Sequence, residues 1–199
     1  MADQGDPNVG KTSFFLRIRD GNKFCLDYSR LLNGHDWVLD YHMKIEDCDV
    51  TVQLCDMPGT GGDRYRLMNH NRLFLNADAI IFMYSIEERF TLESVRDWYE
   101  NTVSGPNFDN CILALVGTKY DLLMEIEVHT IEEMCKEIGA KLHFFTSAKT
   151  GEMVKESLEE VIMEVHKRSL EKRELSVEGA SEPNVTLSEN NKTKKSRCS

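Results

Sequence analysis

No apolar run in these 199 residues approaches the roughly 18 that a membrane-spanning helix requires. Basic charge is also short: 24 Lys and Arg against 34 Asp and Glu leave a formal net charge of −10. That balance excludes broad nucleic-acid binding, which needs a basic surface to displace counterions. Six cysteines are present, but no C-x-x-C pair and no metal-like spacing with histidine occurs among them. Cys25, Cys48, Cys55, Cys111, Cys135 and Cys198 therefore read as reduced cytosolic thiols. The opening Met1-Ala2-Asp3-Gln4 lacks the basic and apolar segments of a secretory leader. Without one, the glycosylation patterns at Asn184 and Asn191 read as chance. No internal repeat is found, and the length suits one well-filled core rather than two domains.

What is present starts with Gly5-Asp6-Pro7-Asn8-Val9-Gly10-Lys11-Thr12, which fits G-x-x-x-x-G-K-[ST]. Such a loop turns backbone N–H groups around phosphates. Its lysine adds positive charge, and the hydroxyl after it reaches Mg²⁺. The apolar run Phe14, Phe15, Leu16, Ile18 reads as a helix whose positive end faces those phosphates. Asp20-Gly21-Asn22 stops it.

Alternating residues from Trp37 to Ile45 and the β-rich run Val50 to Cys55, joined through Glu46-Asp47, predict a hairpin. Asp56 to Asp63 is a turn-rich loop, and Leu67 to Asn76 reads as a helix. Ala79 to Tyr84 and Cys111 to Val116 are continuous apolar runs, as strands buried on both faces require. Phe90 to Tyr99 and Ile131 to Ile138 read as helices, the second stopped by Gly139, and Leu142 to Phe145 as a short strand. Val154, Leu158, Val161 and Val165 keep helical spacing, expected to pack on a sheet rather than on a membrane. Strands alternating with helices give an α/β fold: a doubly wound, mainly parallel sheet with helices on both faces.

Three further signals follow strands. Asp56-Met57-Pro58-Gly59 offers a carboxylate for Mg²⁺ and, at Gly59, an N–H for a γ-phosphate. In Thr118-Lys119-Tyr120-Asp121, the Asp121 carboxylate suits guanine, accepting from N1–H and the 2-amino group, donors that adenine lacks. Thr146-Ser147-Ala148-Lys149 brings backbone N–H groups toward guanine O6. Singly, each is an ordinary polar turn. In order at strand ends, where open α/β sheets bind ligands, they are far more specific.

With these motifs the chain resembles a small GTPase of the Ras superfamily over nearly all of residues 5 to 170, a P-loop G domain. The fragments Arg64-Tyr65-Arg66, Val116 to Asp121 and Thr146 to Glu152 look most like the Rab branch. The resemblance implies GTP or GDP with Mg²⁺ as ligands. Gly5 to Thr12, with Ser13, would hold the phosphates, and Thr12 and Asp56 the metal. Phe24 would lie against the guanine ring, while Thr118, Lys119, Asp121, Ser147, Ala148 and Lys149 would hold the base. Effector, exchange-factor and GTPase-activating proteins are the implied partners. The implied location is the cytoplasm, or the cytosolic face of an endomembrane.

The chain departs from that pattern in three places. The apolar first strand before the phosphate loop is missing or replaced, since only four mostly polar residues precede Gly5. A central strand of about five residues, once lost, would leave its neighbours unpaired at ~1–3 kcal/mol per buried group. That is comparable with a domain's whole stability of about 5–15 kcal/mol. The expectation is an N-terminally truncated G domain over 1–172, with poor nucleotide binding. Second, Leu31 stands where the family's first switch loop has its Mg²⁺-binding threonine. Third, Thr60 replaces the glutamine that orients the attacking water, so hydrolysis is expected to be slow and no catalytic residue is assigned.

Residues 173–199 read by composition as a disordered tail. Its Lys192, Lys194, Lys195 and Arg197 precede Cys198, as in tails that add a basic patch to a lipid anchor. Cys198 is nevertheless two places late for a C-a-a-X signal, where Ser196 stands. Two readings stay open: a Rab-like switch in vesicle and protein transport with weak hydrolysis, or a degenerate G-domain module that binds partners without switching. An ATP-dependent kinase is disfavoured by Asp121.

Overall fold

The computed structural model describes residues 1–21, 24, 38–57, 77–103 and 108–178. Among them, strands β1 (Ala2–Gln4), β2 (Val38–Ile45), β3 (Cys48–Cys55), β4 (Ala79–Ser85), β5 (Ile112–Thr118) and β6 (Leu142–Phe145) form one sheet. The spatial order is β2-β3-β1-β4-β5-β6. Only β2 runs antiparallel to its neighbour; every other pairing is parallel. The helices are α1 (Lys11–Asp20), α2 (Arg89–Glu93), α3 (Val95–Val103), α4 (Val128–Ile138) and α5 (Val154–Glu178).

β4 is buried along its whole length, so both of its faces need cover. Its period of two divides the core. Ile80, Phe82 and Tyr84 pack with Leu92, Val95 and Ile131 from α2, α3 and α4. Ala79, Ile81 and Met83 pack with Phe14 and Phe15 of α1 and with Leu158 and Val161 of α5. At about 1.5–3 kcal/mol per large side chain buried, these two layers dominate the favourable side of folding. The expected stripe on α5 thus faces the sheet. α4 ends where Gly139 takes φ 68, a left-handed cap that a side chain would resist.

The first strand corrects the sequence expectation. Its central place is filled: Ala2, Asp3 and Gln4 pair in parallel with Ile80, Ile81 and Phe82, and Ala2 also pairs with Cys55. The α-amino group of Met1 donates to the Gln53 carbonyl at 2.8 Å, and the Met1 carbonyl accepts from the Cys55 N–H at 3.0 Å. The neighbouring strands therefore keep backbone partners despite the strand's polarity. Asp3 is tolerated inside because Met57 N–H donates to its Oδ1 at 2.7 Å, and burial beside Asp56 holds its carboxyl toward the neutral form. Polarity hid this strand from a hydrophobic pattern.

The hairpin, the buried runs and β6 stand where the sequence places them. The expected helix Leu67 to Asn76 lies outside the described residues. The chain divides into two units, 1–166 and 167–199. Within the second, residues 167–178 continue α5 past position 172, where the tail was expected to begin. Glu171, Lys172, Arg173 and Glu174 are good helix formers, which suffices to extend it. Among the described residues no helix is long and apolar enough to cross a membrane.

Candidate guanine-nucleotide site

The strand order reverses at β1, which lies between β3 and β4. In open α/β sheets such a switch point, at the carboxyl ends of the strands, is where ligands bind. Gly5, Asp56, Lys119 and Thr146 all follow directly after strands that end on this side.

Gly5 opens the loop in contact with β4. A Cβ there would stand 2.2 Å from the Met83 carbonyl oxygen, so no side chain fits. Asn8 sits at φ 63, a conformation that asparagine adopts more readily than most residues. Phe14 N–H donates to the Gly10 carbonyl at 2.9 Å, closing the first turn of α1. The N–H groups ahead of it have no acceptor within the helix and form a ready anion cradle. Lys11 is buried at 5% exposure, its Nζ donating to the carbonyls of Gly5 (2.7 Å) and Asp6 (2.6 Å). Burial pushes its ammonium pKa down, opposed by the carboxylates of Asp3, Asp56 and Asp6. Asp3 moves the other way. Burial, with Asp56 beside it, holds its carboxyl well above the usual range.

On the base side, the Thr118 hydroxyl lies against two carbonyls, that of Val9 and, at 2.9 Å, that of Tyr84. One side chain thus joins the phosphate loop to β4 and β5. Asp121 accepts from Ser147 Oγ at 2.6 Å, and Lys149 Nζ lies 3.1 Å from its other oxygen. Burial raises the Asp121 pKa, but those two donors outweigh it and hold the carboxyl below its ordinary value. The two donors keep the carboxylate charged and oriented. Lys119, at φ 62, reaches Glu87 at 2.6 Å, and Tyr120 stacks on Phe145.

These groups surround a cavity of about 300 Å³. Asn8 and Gly10 line it from the loop and Ser13 from α1, and Phe24, Thr118, Lys119, Asp121, Ala148 and Lys149 are also in its lining. The glycine-rich loop after β1 and the Asp121 carboxylate therefore line one cavity. A model of the Ras family matches residues 4–167.

The chain belongs to the Ras family.

Within that family it is Rab-like. It is 28% identical to Ras-related protein Rab-27B of Rattus norvegicus over 180 residues, 82% of this chain and 78% of that protein. It is 32% identical to Rab-36 of Mus musculus over 159 residues, 76% of this chain and 55% of that protein. Rab-26 of Bos taurus shows 28% identity over 153 residues, 74% of this chain and 56% of the relative. The chain thus spans little more than half the length of two of these relatives.

For this Ras-family member the donor chemistry fits the family's ligand. A hard cation takes oxygen ligands, and Thr12 and Asp56 supply a hydroxyl and a carboxylate beside the loop. Leu31, Gly59, Thr60 and Cys198 lie outside the described residues. Sequence reasoning gave no site role to Asp3, Glu87 or Trp98, nor to Arg17, whose guanidinium donates to the Thr150 carbonyl at 2.8 Å. Asp3 carried a visible signal, a charge where an apolar strand belongs. The other three carried none, because their partners are remote in sequence.

Proposed function

We propose that this chain binds GDP and GTP with Mg²⁺ and works as a Rab-like switch in membrane traffic, with slow hydrolysis. One observation carries the reading: Asp121 and the phosphate loop line the same cavity. Asp121 would accept from the guanine N1–H and 2-amino groups, with Ser147 and Lys149 keeping it ionised. Ala148 and Lys149 would approach guanine O6, and Phe24 the ring face. Lys11 and the first N–H groups of α1 would hold the phosphates, and Thr12 and Asp56 would hold Mg²⁺. The bound Mg²⁺ supplies charge neutralisation on the phosphate oxygens.

Slow hydrolysis rests on sequence: Thr60 is too short to orient a water, and Leu31 cannot ligate a metal. The proposed partners are effector, exchange-factor and GTPase-activating proteins. The basic stretch before Cys198 would serve at the cytosolic face of a membrane. Titration with a fluorescent guanine nucleotide tests the reading: saturable, Mg²⁺-sensitive binding resisted by ATP is expected, and silence with GDP removes it.

A second reading, a partner-binding G domain that does not switch, draws support from Asp3. Its carboxyl is buried beside Asp56 and Lys11, where the family's apolar strand would place no ionisable group next to the phosphate and metal residues. Measurable GTP turnover by the pure protein would eliminate that alternative.

A further inference from the structure

Asp6 is the second residue of the phosphate loop, a poor place for a carboxylate because the proposed ligand is an anion. The fold turns the charge aside. Trp98 on α3 donates its indole N–H to Asp6 Oδ1 at 2.7 Å. At the other end of the same residue, the Asp6 carbonyl accepts from Lys11 Nζ at 2.6 Å. Asp6 is therefore held twice, its peptide oxygen toward the lysine and its carboxylate toward the helix.

The donor is itself well anchored. The Trp98 ring packs against the core layer that contains Phe82 and Tyr84. Its backbone N–H donates to the Ser94 carbonyl at 3.1 Å, and its carbonyl accepts from the Thr102 hydroxyl at 2.6 Å. Indole offers one donor and no acceptor, so it orients a carboxylate without competing for the lysine. A hydrogen bond to an ionised acceptor is also stronger than a neutral one.

We propose that Trp98 is a positioning residue for nucleotide retention: its indole N–H keeps the Asp6 carboxylate turned away from the bound phosphates and steadies the Asp6 carbonyl on Lys11. The inference rests on reading this loop as a guanine-nucleotide site. Without the indole donor, the carboxylate is free to rotate toward the loop and oppose the phosphates. Asparagine at position 6 keeps an acceptor but carries no charge, so it should make the loop indifferent to that loss.

The test uses the full chain with Trp98→Phe, Asp6→Asn and the double variant, loaded with a fluorescent GDP analogue and chased with excess GDP. Trp98→Phe should release the analogue about tenfold faster, equivalent to about 1.4 kcal/mol. Adding Asp6→Asn should remove most of that acceleration. Release at the wild-type rate from Trp98→Phe overturns the proposal. So does an equal acceleration in both backgrounds, which would mark a merely structural tryptophan. Should Trp98→Phe fail to fold, hydrogen exchange of the Trp98 indole N–H in the wild-type protein decides. Slower exchange with GDP supports the proposal, and unchanged exchange overturns it. A wild-type protein that binds no GDP removes both this inference and the reading beneath it.

Discussion

Ser147 Oγ stands 2.6 Å from Asp121 Oδ1, and the Thr150 N–H in turn donates to that hydroxyl at 3.2 Å. A backbone turn thus orients a hydroxyl, and the hydroxyl orients the carboxylate that would read the base. Under the proposed function, discrimination for guanine would be built in before the ligand enters, at little further cost in side-chain entropy.

Asp121→Ala should therefore weaken GDP binding by roughly 10- to 100-fold, the loss of one or two hydrogen bonds to a charged group. Ser147→Ala should act in the same direction but less, since Lys149 still faces the carboxylate. Calorimetric titration of the two variants with GDP checks the order. Equal affinities for wild type and Asp121→Ala would show that the cavity does not read guanine.

Thr118→Val keeps the shape of a side chain that lies against the carbonyls of Val9 and Tyr84 but removes its only donor. The carbonyls lose a buried partner, and the cost should be about 1–3 kcal/mol. Chemical denaturation measures it. An unchanged midpoint would mean that the loop is not fastened to β5 in this way.

Asp3 makes stability depend on pH. Burial holds its folded-state carboxyl above the ordinary value of 3.8, so folding favours the protonated form. The contribution is fully present below 3.8 and is lost as pH rises through the raised value. Asp3→Asn keeps an acceptor for Met57 N–H and cannot ionise. It should raise Tm at neutral pH, by ~2–4 °C for each kcal/mol regained. The gain should shrink toward pH 4; a gain independent of pH would assign it to packing instead.

His143 acts at the acid end. Burial lowers its pKa from 6.5, and its Nε2 lies 3.1 Å from the Tyr84 hydroxyl. Folding favours the neutral ring, so stability is present above 6.5 and is lost as pH falls through the depressed value. Thermal melts between pH 7.5 and 5 should show this loss in the wild type and a reduced loss in His143→Gln. Identical slopes would assign the acid sensitivity to other groups.

Much of this fold was legible along the chain because its signals are local. β4 is apolar at nearly every position, and Gly21 and Gly139 follow directly after their helices. Leu142–Phe145 lies between a glycine-capped helix and a polar turn. The residues that line the cavity were legible as motifs, since each motif follows a strand end with fixed spacing. β1 was not. Its Asp3 and Gln4 are buried without being apolar, and periodicity reads only side-chain chemistry. The pairing that holds β1 comes from backbone groups of β3 and β4, which begin only at Cys48 and Ala79.

The sequence by itself determined the family, the order of β2 to β6 along the chain, and the motifs on which the nucleotide reading rests. Each depends on neighbours within a few positions. Tertiary structure alone decided that a polar tripeptide completes the sheet, that Asp3 meets Asp56, and that Trp98 takes hold of Asp6. Those contacts join segments that only the folded sheet brings together, and a buried polar group is tolerated only where a particular distant partner meets it.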